Sequence, residues 1–258
     1  MDFCLAILAG RKAWGLELPA SGLVKSVRAK DKACGKLAWV IETHLNMTPW
    51  RSMIQMNRLI HFHAQKEESK MQTTAEAKAR EAYKQMCEGA RKVNYQFEVM
   101  IEYESKLPKM TPDMAFWWWD NMGPIERYRL WSPNHLAFEW EIDPSVSGRI
   151  GAIHSVTEYV GEIPVYLRLR YEDPSRYPGS RKYKHAIVES SLTEDNHIMG
   201  WILHEFDEVG KGLMMRNVFQ LPLGTPKEIV NGIIEHSTKE MDKLPKFLPG
   251  LYGKLVKR

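Results

Sequence analysis

Two periodicities follow one another in this chain, and their order limits the folds open to it. From about residue 135 to residue 220 apolar side chains recur at every second position; after Thr225 they recur every three to four. Val165, Leu167, Leu169 and Tyr171 alternate with Tyr166, Arg168 and Arg170, the pattern of a strand with one face in the core. On the stretch before it, His154, Val156, Glu158 and Val160 share one face and Ser155, Thr157 and Tyr159 the other, and Gly161 breaks or bulges the strand. Residues 201–206 and 213–219 flank a hairpin loop at 207–212. Antiparallel strands followed by one long helix predict an α+β domain, with the helix laid across a curved sheet and a cavity between the two.

The last helix carries the oddest feature. Thr225 reads as its N-cap, Pro226 as its first residue and Glu228 as the closing member of a capping box; Pro245 ends or kinks it after Leu244. Ile229, Ile233, His236, Glu240 and Leu244 then form one stripe. His236 and Glu240 are a turn apart on the face that should meet the core, and a carboxylate is seldom buried without a partner. A metal ion would be an economical partner for both. Such a pair is also common on solvated faces, so further ligands elsewhere in the chain decide the matter.

Few other polar residues face inward. Glu158 sits between Val156 and Val160, His204 follows Ile202 and Leu203, and His135 follows the tight turn Trp131-Ser132-Pro133-Asn134. Two histidines and two carboxylates suit zinc, or else iron or manganese. His61-Phe62-His63 has metal-binding spacing with no other ligand near it, and packing is the better reading. Phe116, Trp117, Trp118 and Trp119 follow a helix start at Thr111-Pro112, so that helix is aromatic on all sides and sandwiched between layers.

Residues 73–93 form an amphipathic helix with Ala75, Ala79, Tyr83 and Cys87 along one face, within an N-terminal, mainly helical region expected over 1–94; the catalytic domain is expected over 95–258. The net charge of +4 is spread without a dense basic block, which argues against a nucleic-acid partner. Three distant cysteines, Cys4, Cys34 and Cys87, offer neither a disulfide framework nor a metal knuckle and fit a reducing, cytoplasmic setting. The apolar start is too short to span a bilayer, and Asp2 stands where a signal peptide carries positive charge.

Five segments, in order over about residues 110–252, resemble the phloretin hydrolase / 2,4-diacetylphloroglucinol hydrolase family. They are the helix from Met114 to Trp119; Arg127-Tyr128-Arg129-Leu130-Trp131-Ser132-Pro133-Asn134-His135; Glu158-Tyr159-Val160-Gly161; His204 through Gly212 to Met215-Arg216 and Phe219; and His236-Ser237-Thr238-Lys239-Glu240-Met241 with Leu244 and Phe247-Leu248-Pro249. The resemblance implies a Bet v1/START-like helix-grip fold and one Zn²⁺ ion, with Fe²⁺ or Mn²⁺ as lesser alternatives. It implies hydrolysis of a carbon–carbon bond between an acyl group and a polyhydroxylated aromatic ring. Carried over by motif, the metal ligands are His135, Glu158, His236 and Glu240, with Glu162 as runner-up to Glu158. His204 becomes a proton donor or acceptor. Tyr128 becomes a substrate-binding and catalytic group, and Trp118, Phe138, Tyr159 and Arg216 are further substrate contacts.

The segment Arg216-Asn217-Val218-Phe219-Gln220 departs from the family's RSRFW, and Phe138 stands where a polar substrate contact is expected. The metal shell is therefore kept while the pocket differs. A metal-dependent lyase or cyclase acting on an aromatic or polyketide product, and a non-catalytic carrier of hydrophobic ligands, are the competing classes. The expected partner is a small aromatic substrate, with a homodimer left open and neither nucleic acid nor membrane involved.

Overall fold

A computed structural model describes residues 49–256, with side chains at 60, 62 and 71–256. Cys4, Cys34 and the side chains of His61 and His63 lie outside the described residues. The chain divides into two compact units, Met1–Lys66 and Glu67–Arg258, and the sheet and every candidate site residue belong to the second. The elements are α1 (Pro49–Lys92), β1 (Phe97–Pro108), α2 (Pro112–Asp120), α3 (Ile125–Trp131), β2 (His135–Ile142), α4 (Pro144–Ser147), β3 (Ile153–Val160), β4 (Ile163–Glu172), β5 (His185–Leu192), β6 (Ile198–Glu208), β7 (Gly212–Pro222) and α5 (Lys227–Leu255).

The strands form one antiparallel sheet in the order β1-β7-β6-β5-β4-β3-β2. Strand alternation divides its side chains between two faces. The inner face carries Leu107, Val156, Tyr171, Ile187, Phe206, Leu213 and Met215, which pack in one core with Trp118 and Trp119 of α2, Tyr128 and Trp131 of α3, and Met241, Leu244 and Leu248 of α5. This is the helix-grip arrangement of an α+β domain. On the outer face Tyr166 and Met199 pack with Ala79, Tyr83, Cys87 and Ala90 of α1, and the Tyr83 hydroxyl donates to the Leu192 carbonyl at 2.7 Å. Cys87 is a buried free thiol.

Local signals explain most boundaries. Thr111 caps α2, its side chain accepting from the Met114 N–H at 3.3 Å with Pro112 at the first helical position. Gly161, at φ +62°, neither bulges β3 nor merely interrupts it: with Glu162 it makes a two-residue hairpin loop, since Val160 pairs with Ile163. One expectation for α5 fails and one is narrowed. Its N-cap is Pro226 and not Thr225, whose hydroxyl turns back to donate to the Pro222 carbonyl at 2.7 Å and closes the exit from β7. The helix also continues through Pro245 and Pro249 to Leu255. Beyond Leu244 it is held by aromatic packing, Phe247 on Trp118 at 5.0 Å and Tyr252 on Trp117 at 5.6 Å, so tertiary contact outweighs the lost N–H donors.

Candidate metal centre

Three elements bring four side chains to one point. The turn after α3 is fixed by Arg129 donating to the His135 carbonyl and by the Tyr159 N–H donating to the Asn134 carbonyl, both at 3.0 Å, so His135 enters β2 facing inward. His135 pairs in register with Glu158 of β3. α5 lays His236 and Glu240 over this pair, and the Trp131 indole donates to the Glu240 carbonyl at 2.9 Å, tying α3 to α5. All four residues are buried. His135 Nε2 lies 2.7 Å from Glu240 Oε1 and 3.5 Å from Glu158 Oε2; His236 Nε2 lies 3.3 Å from Glu240 Oε1 and 3.7 Å from Glu158 Oε1.

These side chains fit a cation. Ligands held 2.0–2.2 Å from one tetrahedral ion stand about 3.3–3.6 Å from each other; three of the separations, 3.3, 3.5 and 3.7 Å, are close to this, and the 2.7 Å between His135 and Glu240 is that of a hydrogen bond. The His135 Nδ1 is 2.9 Å from the Tyr128 carbonyl, which only accepts, so Nδ1 carries the hydrogen. Its Nε2 then faces Glu240 Oε1 at 2.7 Å, a contact that needs a proton or a metal ion between the two atoms. His236 Nε2 is buried and makes no hydrogen bond despite its two carboxylate neighbours. Single donor atoms of His135, Glu158 and His236 come within 4.8 Å of one another, so the group could bind a metal. Burial disfavours charge on both His236 and Glu240. Their mutual attraction, together with Glu158 for His236 and His135 for Glu240, outweighs it, holding the imidazole up and the carboxyl down.

Tyr128 stacks on His135 with ring centroids 3.6 Å apart and donates to Glu158 Oε2 at 2.9 Å. Its hydroxyl is thus committed to a carboxylate of the cluster; burial and the Glu158 charge push its pKa well up, and it remains a donor. His204, on the inner face of β6, lies against the Trp119 ring at 4.9 Å, with its Nδ1 2.7 Å from Asn217 Oδ1. Burial lowers its pKa to about 4 despite the Asn217 bond, so at neutral pH it presents a bare Nε2 and accepts a proton instead of giving one. Phe138 lies between Tyr128 at 5.2 Å and His154 at 5.4 Å on the same face.

Three expected substrate contacts stand elsewhere. Arg216 and Tyr159 are one residue out of phase with the inward positions of their strands, so both point to the outer face, where Arg216 binds Glu102 and Glu205. Tyr159 reaches the site through its backbone, which donates to the Asn134 carbonyl and hydrogen-bonds His236. Trp118 is buried between Trp131 and Phe247, and it is Trp119 that lies against His204. Glu162, the alternative ligand, is an exposed hairpin residue.

The sequence reading missed Glu189, Asn217, Tyr103 and Gly232. Glu189 is fully buried on β5 and 3.6 Å from His154 Nε2. Gly232 lets α5 approach β3: a Cβ there would meet Val160 Cγ1 at 2.7 Å. The glycine inside a helical stripe was the available signal for this contact. The other three looked like ordinary strand residues.

Among the described residues no helix is long and apolar enough to cross a membrane. No curated protein matches the chain in sequence. Among solved structures the chain is similar to Ara h 8.0201, at 13% identity and TM-score 0.43 over 60% of this chain and 99% of that one. It is similar to the Mll3558 protein of Rhizobium loti, at 16% and 0.40 over 58% and 96%. It is similar also to the major latex-like protein 151 of Panax ginseng, at 8% and 0.36 over 55% and 94%. The family model described as the DAPG hydrolase PhiG domain matches residues 62–224, well over half of the sequence, and the chain belongs to that family.

Proposed function

We propose that this protein is a zinc-dependent hydrolase that cleaves the carbon–carbon bond between an acyl group and a polyhydroxylated aromatic ring. The observation that carries the reading is the convergence of the buried group His135, Glu158 and His236 with Glu240, in a member of this family. Those four residues would hold the ion, and when bound it supplies the Lewis acidity that polarises an aryl ketone.

The chain's own residues do the rest. Tyr128 holds Glu158 by its hydroxyl and His135 by stacking and by its carbonyl, which preorganises the ligands. Trp131 does the same for α5 at Glu240. His204, kept neutral by burial, takes a proton from a ring hydroxyl at Nε2 and returns it to the ring carbon that bears the acyl group. Water adds to the acyl carbonyl, the ring–acyl bond breaks with its electron pair passing to the ring oxygen, and that oxygen takes water's second proton as the acyl group leaves as a carboxylic acid. The proton transfers fall within the usual ~10²–10⁴-fold of general acid–base catalysis. Trp119 and the buried core of α2 and α3 keep water from His204.

The reading is tested by metal analysis of the zinc-reconstituted wild type beside Glu240→Gln, with acylated phloroglucinols as substrates. About one zinc per chain in the wild type, its loss in the variant and acyl release by the wild type alone are expected. A variant that keeps its zinc, or a zinc-loaded wild type that cleaves none of these ketones, refutes the reading.

A further inference from the structure

Three polar side chains stand side by side on the inner face of the sheet, and two of them end in buried donors that make no hydrogen bond of ordinary geometry. Tyr103 of β1 pairs in register with Asn217 of β7, and Asn217 with His204 of β6. Strands lie about 4.8 Å apart, so the three form a row roughly 10 Å long. The row faces the core: Leu213 and Met215, in phase with Asn217, belong to the inner cluster, and Tyr103 packs against it. Across from it α5 presents Ser237, Thr238 and Glu240; Tyr103 interacts with all three and His204 with Glu240. The row therefore borders the candidate metal centre through Glu240.

The hydrogen bonds of this row are incomplete in a specific way. Asn217 is fully buried, and its Oδ1 is taken by His204 Nδ1 at 2.7 Å. Its Nδ2 has no partner, and the buried Tyr103 hydroxyl makes no hydrogen bond of ordinary geometry, its neighbours being the Ser237 and Thr238 hydroxyls of α5. Because Asn217 Oδ1 fixes the hydrogen on His204 Nδ1, the neutral ring leaves Nε2 as an acceptor. The row thus offers two donors and one acceptor, and an unmet buried donor costs about 1–3 kcal/mol.

We propose that Tyr103, Asn217 and His204 form a subsite for one hydroxyl of a polyhydroxylated aromatic ring. A phenolic oxygen has two lone pairs and one hydrogen. It accepts from Tyr103 and from Asn217 Nδ2 and donates to His204 Nε2, so all its valences and all three protein groups are matched at once. An aryl ether at the same place has no hydrogen for Nε2, and a ring without oxygen leaves all three groups unmet. Sites built to bond a hydroxyl reject analogues that lack it by large factors. Tyr103 and Asn217 are binding residues here, and Asn217 also sets the tautomer of His204. The inference rests on the proposed function for its substrate class, and the experiment separates the two.

Phloroglucinol and its trimethyl ether are titrated by calorimetry into the zinc-reconstituted full chain, as wild type, Tyr103→Phe and Asn217→Leu, and turnover of an acylated phloroglucinol is followed in parallel. Phloroglucinol is expected to bind the wild type at least tenfold tighter than the ether. Tyr103→Phe should lose about tenfold in Kd with its zinc retained, and Asn217→Leu should also lose the ligand-induced ¹⁵N shift at His204 Nε2. Should Asn217→Leu fail to fold, the isosteric Tyr103→Phe decides alone. A wild type that binds phloroglucinol in a Tyr103-dependent way but cleaves nothing keeps the subsite and sinks the hydrolase. Cleavage with kcat, KM and Kd unchanged in Tyr103→Phe sinks the subsite and keeps the hydrolase. A wild type that neither binds nor cleaves sinks both.

Discussion

The two faces of the sheet bury ionisable groups to the same depth and treat them in opposite ways. On the outer face Glu205, with no exposure, accepts the backbone N–H groups of Lys182 and Tyr183 at 2.8–3.1 Å and a guanidinium hydrogen of Arg216, which also donates to Glu102. Glu172 accepts from Arg170, Arg176 and Ser190, each at 2.7 Å. These buried charges are answered locally; the unpaired outer atoms among the described residues, Trp201 Nε1 and Gln220 Oε1, belong to neutral groups. On the inner face His236 Nε2, His154 Nδ1, Glu189 Oε1, Tyr103 Oη and Asn217 Nδ2 have no hydrogen-bond partner. A closed network rigidifies a fold, whereas an open one of equal depth costs stability and persists where something else completes it. Burial of ionisable groups alone therefore does not mark a site in this protein; an ionisable group left unmet does.

The largest effect that sharpens this contrast belongs to the closed face. Glu205→Ala leaves Arg216, which is only 9% exposed, with Glu102 as its one remaining carboxylate and releases the loop held at Lys182 and Tyr183. Removing one partner of a buried ion pair costs about 3–5 kcal/mol. Urea unfolding should show that loss, and the folded fraction should bind zinc as the wild type does. A cost below about 1 kcal/mol would mean that the outer network is not what holds this loop.

The inner face predicts the reverse sign. Burial raises the Glu189 carboxyl from its ordinary 4.5 to about 8, and burial lowers the His154 imidazole to about 3. Between pH 4.5 and 8 the native state holds a proton on Glu189 that the unfolded chain releases, so stability falls as pH rises through that window and levels off above it. His154 and His204 act on the other side: the unfolded chain takes up their protons first, and stability falls as pH drops below about 6.5. Glu189→Gln removes the alkaline limb. It should stabilise the protein by about 2–4 kcal/mol at pH 8 and by almost nothing at pH 4.5. Thermal unfolding across that range checks it, and equal stability of the two proteins at pH 8 contradicts an unanswered carboxyl at this position.

How much of this was legible in the sequence depended on periodicity. The alternation at 153–160 and 163–171 placed Glu158 inward, and the helical stripe placed His236 and Glu240 opposite it. The same alternation, followed strictly, also excludes Arg216 and Tyr159. They were nominated from motif resemblance, and motif order carries no information about strand phase. Of the two outcomes that a local rule allows at Pro245, an end or a kink, packing on Trp117 and Trp118 excludes the end. Asn217, Tyr103 and Glu189 were invisible for a different reason: each becomes unusual only through what its neighbours on other strands fail to supply, and register across β1, β7 and β6 is not written in any one segment.

The smallest effect concerns how closely the two halves of the metal cluster approach. Gly232 lies one turn before His236, where α5 crosses β3, and an added Cβ would fall 2.7 Å from Val160 Cγ1 and 3.3 Å from the Val160 carbonyl oxygen. The side chain can move aside, but the carbonyl belongs to the strand that carries Glu158. Gly232→Ala therefore lifts the helix by a fraction of an ångström, and His236 Nε2 separates from Glu158 Oε1, already 3.7 Å away. Overpacking of this kind costs about 1–3 kcal/mol, partly offset by the better helix propensity of alanine. The stability loss should be near the lower end, while zinc affinity falls by about tenfold, since ligand geometry is less forgiving than packing. Val160→Ala in the same chain makes room for the Cβ and should restore most of the zinc affinity. Restoration without any earlier loss, or loss without restoration, would show that the inner face does not depend on this contact for its geometry.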